Sequence, residues 1–96
     1  MRIRFLTPAE FEMFEASAYY EIQATDLGRN FLDIIEEATN EIAENPTIWP
    51  EVYQGIRRRL IRRFPYSVLY CIHADEIIIV AIMHQKQRPD YWVDRL

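Results

Sequence analysis

Apolar residues recur along this chain with two periods, and the period changes near residue 46. Phe31, Ile34, Ile35, Ala38 and Ile42 stand at offsets of 0, 3, 4, 7 and 11, which puts them on one face of a helix over residues 29–44. Glu36, Glu37, Glu41 and Glu44 fall mostly off that stripe, and Asn45-Pro46 ends the helix because a residue before proline resists helical geometry. Upstream, Phe11, Phe14, Ala18 and Ile22 repeat at spacings of three and four, predicting a helix over residues 8–24 with Glu12 and Glu15 toward water. Thr7-Pro8-Ala9-Glu10 has the form of a capping box with proline at the first helical position, so this helix is expected to start there. Two amphipathic helices joined by a short turn form an antiparallel hairpin with one apolar side to cover.

The remaining segments alternate or run apolar in short stretches, as strands do. Residues 2–6 alternate as Arg2, Ile3, Arg4, Phe5, which places Ile3 and Phe5 on one face of a first strand that stops at Thr7. After a proline-bounded loop at residues 46–50 carrying Trp49, residues 56–61, 66–72 and 77–84 are rich in β-branched and aromatic side chains. Residues 62–65 and 73–76 make the turns, with Pro65 at a strand start because it cannot donate to a ladder. Residues 77–83 are apolar at every position, which predicts a central strand covered on both faces, in part by a partner. The expected fold is α+β, a two-helix hairpin packed on a mainly antiparallel sheet in the order β-α-α-β-β-β, within a single domain spanning residues 1–96.

Composition narrows the chemistry. Half the residues are hydrophobic and only two are glycine, so the chain folds rather than staying disordered and has no glycine-rich phosphate loop. No apolar run reaches the about 18 residues of a membrane-spanning helix, and residues 1–8 lack the apolar stretch of a signal peptide; the cytoplasm is the expected location. The lone Cys71 forms no internal disulfide and no multi-cysteine metal site, and beside His73 it reads as a small buried hydrophobe. Neither a metal nor a cofactor is expected.

The net charge of −4 is unevenly distributed. Residues 1–51 carry 11 acidic and 3 basic side chains, whereas residues 52–96 carry 4 and 8. Five arginines fall within residues 57–63, a local anion-binding patch on a chain too acidic for a generic nucleic-acid binder. Strand alternation puts Arg57 and Arg59 on one side and Arg58 on the other. Two readings stand side by side. The arginines pair with the chain's own glutamate-rich helices, or they share a surface with the C-terminal run His84, Lys86, Arg88, Tyr91 and Trp92, where cations interleaved with aromatics suit either nucleic acid or a protein interface.

The run Arg62-Arg63-Phe64-Pro65-Tyr66-Ser67-Val68-Leu69-Tyr70, followed by Ile79-Val80-Ala81-Ile82-Met83-His84-Gln85-Lys86-Gln87-Arg88-Pro89-Asp90-Tyr91-Trp92, resembles the RelE/ParE superfamily of bacterial toxins. The resemblance implies the toxin of a type II toxin-antitoxin module, held inactive by a cognate antitoxin whose acidic residues would meet the arginine-rich strand. It covers two activities. RelE-like members cut mRNA in the ribosomal A site, whereas ParE-like members share the fold and poison DNA gyrase without cutting RNA. Ser67 stands where the nucleases commonly carry an arginine, and Arg57 and Arg59 stand in for a lysine pair although arginine is a poor general base. The ParE-like mode is therefore ranked ahead of an endoribonuclease, and an inert antitoxin-binding remnant is the third reading. A nuclease would use Arg57, Arg59, Lys86, Arg88 and Tyr91. In any mode the expected target-binding residues are Arg57, Arg59, Arg62, Arg63, His84, Lys86, Arg88, Tyr91 and Trp92. The target is gyrase or ribosome-bound mRNA, with no membrane involved.

Overall fold

The computed structural model describes all of residues 1–96. Strand β1 (Arg2–Phe5) leads into helices α1 (Thr7–Gln23) and α2 (Leu27–Glu44), followed by β2 (Glu51–Tyr53), β3 (Ile56–Leu60), β4 (Tyr66–His73) and β5 (Glu76–His84). A single 3-10 turn, Val93–Arg95, closes the chain. The strands form one sheet in the order β1-β5-β4-β3-β2, with β1 parallel to β5 and the other neighbours antiparallel. This is the expected α+β architecture with one more strand. Strand β2 is three exposed residues without apolar alternation, joined to β3 through Gly55 in the left-handed region. No helix is long and apolar enough to cross a membrane.

Helix α2 buries the stripe its periodicity predicts: Phe31, Ile34, Ile35, Ala38 and Ile42 are all in the core. It begins two residues earlier than expected, because Asp26 adopts a left-handed φ of 68° and turns the chain sharply. The Glu21 carboxylate, reaching from α1, accepts the backbone N–H groups of Asp26 and Gly28 at 3.0 Å and so caps the new helix.

Helix α1 departs from expectation at both its start and its face. Thr7 is already helical, Leu6 is the capping residue, and no side chain bonds there, so the capping box does not form. The buried face carries Ala9 and Ala16, flanked by Met13 and Tyr20, whereas Phe11, Phe14 and Ile22 are 63, 53 and 88% exposed. Small residues allow α1 to approach its neighbours closely, and that contact outweighs the burial of larger rings on the opposite side. Gly28 is the tightest point.

Strand β5 is apolar throughout because both its faces are covered. Ile77, Ile79 and Ile82 pack under the helices, while Val80, Ala81 and Met83 face a second cluster with Ile56 and Leu69. Opposite Leu69 and Tyr70 the register slips: Leu69 faces Ala81 and Tyr70 faces Ile79, leaving Val80 as an extra residue. This bulge puts Val80 and Ala81 on the same side of the sheet. The second face is covered by the chain's own Trp92.

Gly28→Ala tests the helix crossing. A Cβ at this position would lie 2.4 Å from the Ser17 carbonyl oxygen, a backbone atom of α1. Alanine gains about 1 kcal/mol of helix propensity, but forcing packed helices apart costs about 1–3 kcal/mol. Denaturant titration should show a lower midpoint for the variant; a raised one would mean that the helices do not meet here.

Candidate functional site

Strand β3 sets the direction of three arginines by alternation alone. Arg57 and Arg59 face the helices. Arg57 Nη1 donates to the carbonyls of Thr47 at 3.1 Å and Trp49 at 2.7 Å, holding the 46–50 loop against the sheet. Arg59 Nη2 bonds the Glu41 carboxylate of α2 at 2.7 Å, and its guanidinium lies 5.0 Å from the centre of the Trp49 ring. Beyond the strand, Arg62 makes two bonds of 3.2 Å to Glu37, and that bonding holds the Glu37 carboxyl below its ordinary range. Three members of the cluster are therefore bonded within the molecule. Arg63 has a left-handed backbone and lies beside the Phe64 ring.

Arg58 alone of the strand's arginines faces the C-terminal segment. It lines a recess of about 160 Å³ with Tyr53, Pro89, Asp90 and Trp92, and it has no ion pair or side-chain hydrogen bond. An adjoining recess shares Tyr53 and Asp90 and includes Arg88, whose only ionic neighbour is Asp90 at 3.7 Å. Lys86 is exposed nearby in sequence. The structure thus splits the expected nine-residue surface in two. Arg57, Arg59 and Arg62 turn toward the helices, while Arg58, which the sequence reading left out, joins the C-terminal face.

Tyr91 and Trp92 also have intramolecular roles. Trp92 is 1% exposed, donates its indole N–H to the Pro89 carbonyl at 2.7 Å, and meets Tyr53 edge-on. It is a core residue of the second face. The Tyr91 hydroxyl donates to the Glu12 carboxylate at 2.7 Å. Burial first, and then the bond and charge of Glu12, push the phenol well above its ordinary range, so it stays protonated.

Glu12, expected in solvent, is the centre of this region. Its carboxylate accepts two bonds of 2.8 Å from the Arg95 guanidinium and one of 3.0 Å from the Ile82 backbone N–H. Arg95 also donates to the Val80 carbonyl at 3.1 Å. Sheet geometry explains the need for these groups. Strand β1 pairs with β5 only as far as Ile79, so the next backbone groups along that edge, at Val80 and Ile82, have no strand to meet. A carboxylate and a guanidinium fill the gap. The sequence signal for this was slight: five predicted residues in the first strand against eight in the last.

Two clefts flank α1. An apolar groove of about 260 Å³ is lined by Phe5, Met13, Phe14, Leu32 and Ile35. A cleft of about 500 Å³ lies between α1 and the ends of β4 and β5, with Glu15, Tyr19, Tyr66 and His84 in its walls. His84 Nδ1 accepts the Lys86 N–H at 3.0 Å. Elsewhere, burial raises the Cys71 thiol above its ordinary range, which keeps it protonated and unreactive.

The scaffold is thus a two-helix hairpin on a five-stranded sheet, with an arginine-rich third strand and a C-terminal segment strapped over the far face. Residues 3–89 match the family described as "ParE toxin of type II toxin-antitoxin system, parDE", and the chain belongs to that family. The protein named Toxin ParE2 from Mycobacterium tuberculosis, in strain CDC 1551 / Oshkosh and in strain ATCC 25618 / H37Rv, is 28% identical over 90 residues, covering 93% of this chain and 86% of the relative. A solved chain described as "Chromosomal ParDE TA system from P. aeruginosa" superposes with a TM-score of 0.63 at 16% identity, over 88% of this chain and 95% of that one. This last likeness is one of fold.

Glu12→Gln should destabilise the molecule by about 2 kcal/mol, because it leaves the largely buried Arg95 without its counter-ion. Glu37→Gln breaks an exposed pair and should leave the unfolding midpoint within error of the parent. Equal effects in urea titrations would contradict this ordering.

Proposed function

We propose that this ParE-family toxin acts by contact on DNA gyrase rather than by cutting RNA, and that a cognate antitoxin restrains it. One observation carries the choice of mode: the groups a nuclease would need do not converge. Arg57 and Arg59 bond to the 46–50 loop and α2 on the helical side, while the Tyr91 hydroxyl is bonded to Glu12 at the far edge of β5. A protonated phenol already donating to a carboxylate is a poor general base, and guanidinium groups tied to carbonyls and Glu41 are not free to receive a phosphate. Ser67, at the position where the nucleases commonly carry an arginine, is buried. On the arginine strand, the turn after it and the C-terminal segment, the cations open to a partner are Arg58, Arg63, Lys86 and Arg88, the last held only by an exposed pair with Asp90, and they suit a protein surface better than an acid-base centre. The antitoxin reading rests on the family and on the apolar groove beside α1, which a folding segment would fill.

The test pairs a gyrase supercoiling assay with primer extension across a message in a translation reaction. Inhibited supercoiling or trapped cleaved DNA, with intact message, is the expected result. The double variant Arg58→Ala, Arg88→Ala should need roughly tenfold more protein for half-inhibition, a loss of about 1.4 kcal/mol at the contact. Tyr91→Phe should cost about 1 kcal/mol of stability and leave inhibition of gyrase unchanged. Codon-phased cuts that require ribosomes would overturn the proposal.

A further inference from the structure

The cleft between α1 and the ends of β4 and β5 sets carboxylates beside aromatic rings, over a floor that includes Ala16 and Ile82. From α1 come Glu12, Glu15 and Tyr19, which share a helix face at spacings of three and four. Tyr66 and His84 form the opposite wall, their rings edge to face at 5.0 Å. The charge of Glu12 is matched by Arg95, but Glu15 has no ion pair or hydrogen bond anywhere in the molecule. No cation of the chain lies over Tyr19 or Tyr66; the three that stack on rings use Trp49, Phe64 and Tyr91. The cleft therefore holds an unspent carboxylate between two aromatic rings that carry no cation, the exposed Tyr19 and a Tyr66 packed against Tyr20, Phe31 and His84. The Tyr66 hydroxyl is raised mainly by burial, then by the neighbouring Tyr20 and Tyr19 hydroxyls, and least by the charges of Glu12 and Glu15.

From this geometry we infer that the cleft is a receptor for an arginine side chain presented by a protein partner. A guanidinium suits it better than an ammonium, since a planar cation stacks on the tyrosine rings while its N–H groups fork onto the Glu15 carboxylate. Phosphates and acidic side chains are excluded by the same charge. A protein source, rather than a free polyamine, follows from what borders the cleft on α1: Phe11 lies four residues before Glu15 and Ile22 three residues after Tyr19, and both are strongly exposed. Apolar residues flanking the arginine would cover them. The site lies on the helical side of the sheet, opposite the face that carries Arg58, and Gln87 at its rim joins it to the C-terminal segment.

Titrations of the full chain followed by NMR test the assignment without reference to gyrase. N-acetyl-arginine amide should shift the Tyr19 and Tyr66 ring signals and the Ala16 methyl saturably, in the roughly millimolar range of a single side chain. Acetyl-Leu-Arg-Leu amide should bind several-fold tighter and extend the shifts to Phe11 and Ile22. Glu15→Gln and Tyr19→Leu should each weaken both probes by roughly fivefold, with an unchanged thermal midpoint because both residues are exposed. Equal shifts from N-acetyl-glutamine amide, or indifference to Glu15→Gln, would overturn the site. Spermidine binding tighter than the tripeptide would overturn the protein source.

Discussion

The far side of the sheet depends on the carboxylate of Glu12. It accepts from the backbone of β5, from Tyr91 and twice from Arg95, joining groups up to 83 residues apart in sequence. Its position is forced by the shortness of β1, which leaves polar backbone at the edge of the most apolar strand in the molecule. A third bonding partner in that gap could have been water. Using an ion pair instead fastens the C-terminal segment and thereby keeps Trp92 over the second cluster. Over Val80, Ala81 and Met83, where the apolar run of β5 predicted cover in part by a partner, this strap supplies Trp92.

Charge segregation along the sequence is resolved in three dimensions by pairing across elements. The acidic helices and the basic strand are two halves of one set of contacts, Glu41 with Arg59 and Glu37 with Arg62, with Arg57 bonded to loop carbonyls. What remains free is distributed in the opposite sense to the first expectation: acidic residues around the clefts of α1, and a few cations by the C-terminal recesses. An antitoxin of acidic character would find Arg57 and Arg59 of that strand already bonded and Arg58 open. A partner with arginines and apolar residues would find open positions.

Much of the fold was legible in the chain. Helix α2 has a single apolar stripe, so period and face coincide, and all five expected residues are buried. Helix α1 has two stripes, one through Phe11, Phe14, Ala18 and Ile22 and one through Ala9, Met13, Ala16 and Tyr20. Periodicity locates such a helix but does not choose its face; the choice was made by close approach at Ala16, Ser17 and Gly28, where large rings do not fit. Alternation along β3 correctly separated Arg58 from Arg57 and Arg59. It carried no information on which side the helices would occupy, and that side decided which arginines stayed free. Glu12 was indistinguishable from its solvent-facing neighbours because its role depends on where another strand stops.

The parallel pairing of β1 with β5 has a consequence for the order of assembly. Arg2 sits opposite Glu76, 74 residues later, and every other strand pair is a local hairpin. During synthesis the first strand has no seat until the fifth has emerged, and the edge beside it stays unfilled until Arg95 is made. Long-range closure of this kind is slow compared with hairpin formation, so β1 is expected to dock after the hairpins. A chain interrupted before β5 would therefore lack both its parallel strand and its C-terminal strap, and a toxin so built reaches its finished surface only when translation of that surface is complete.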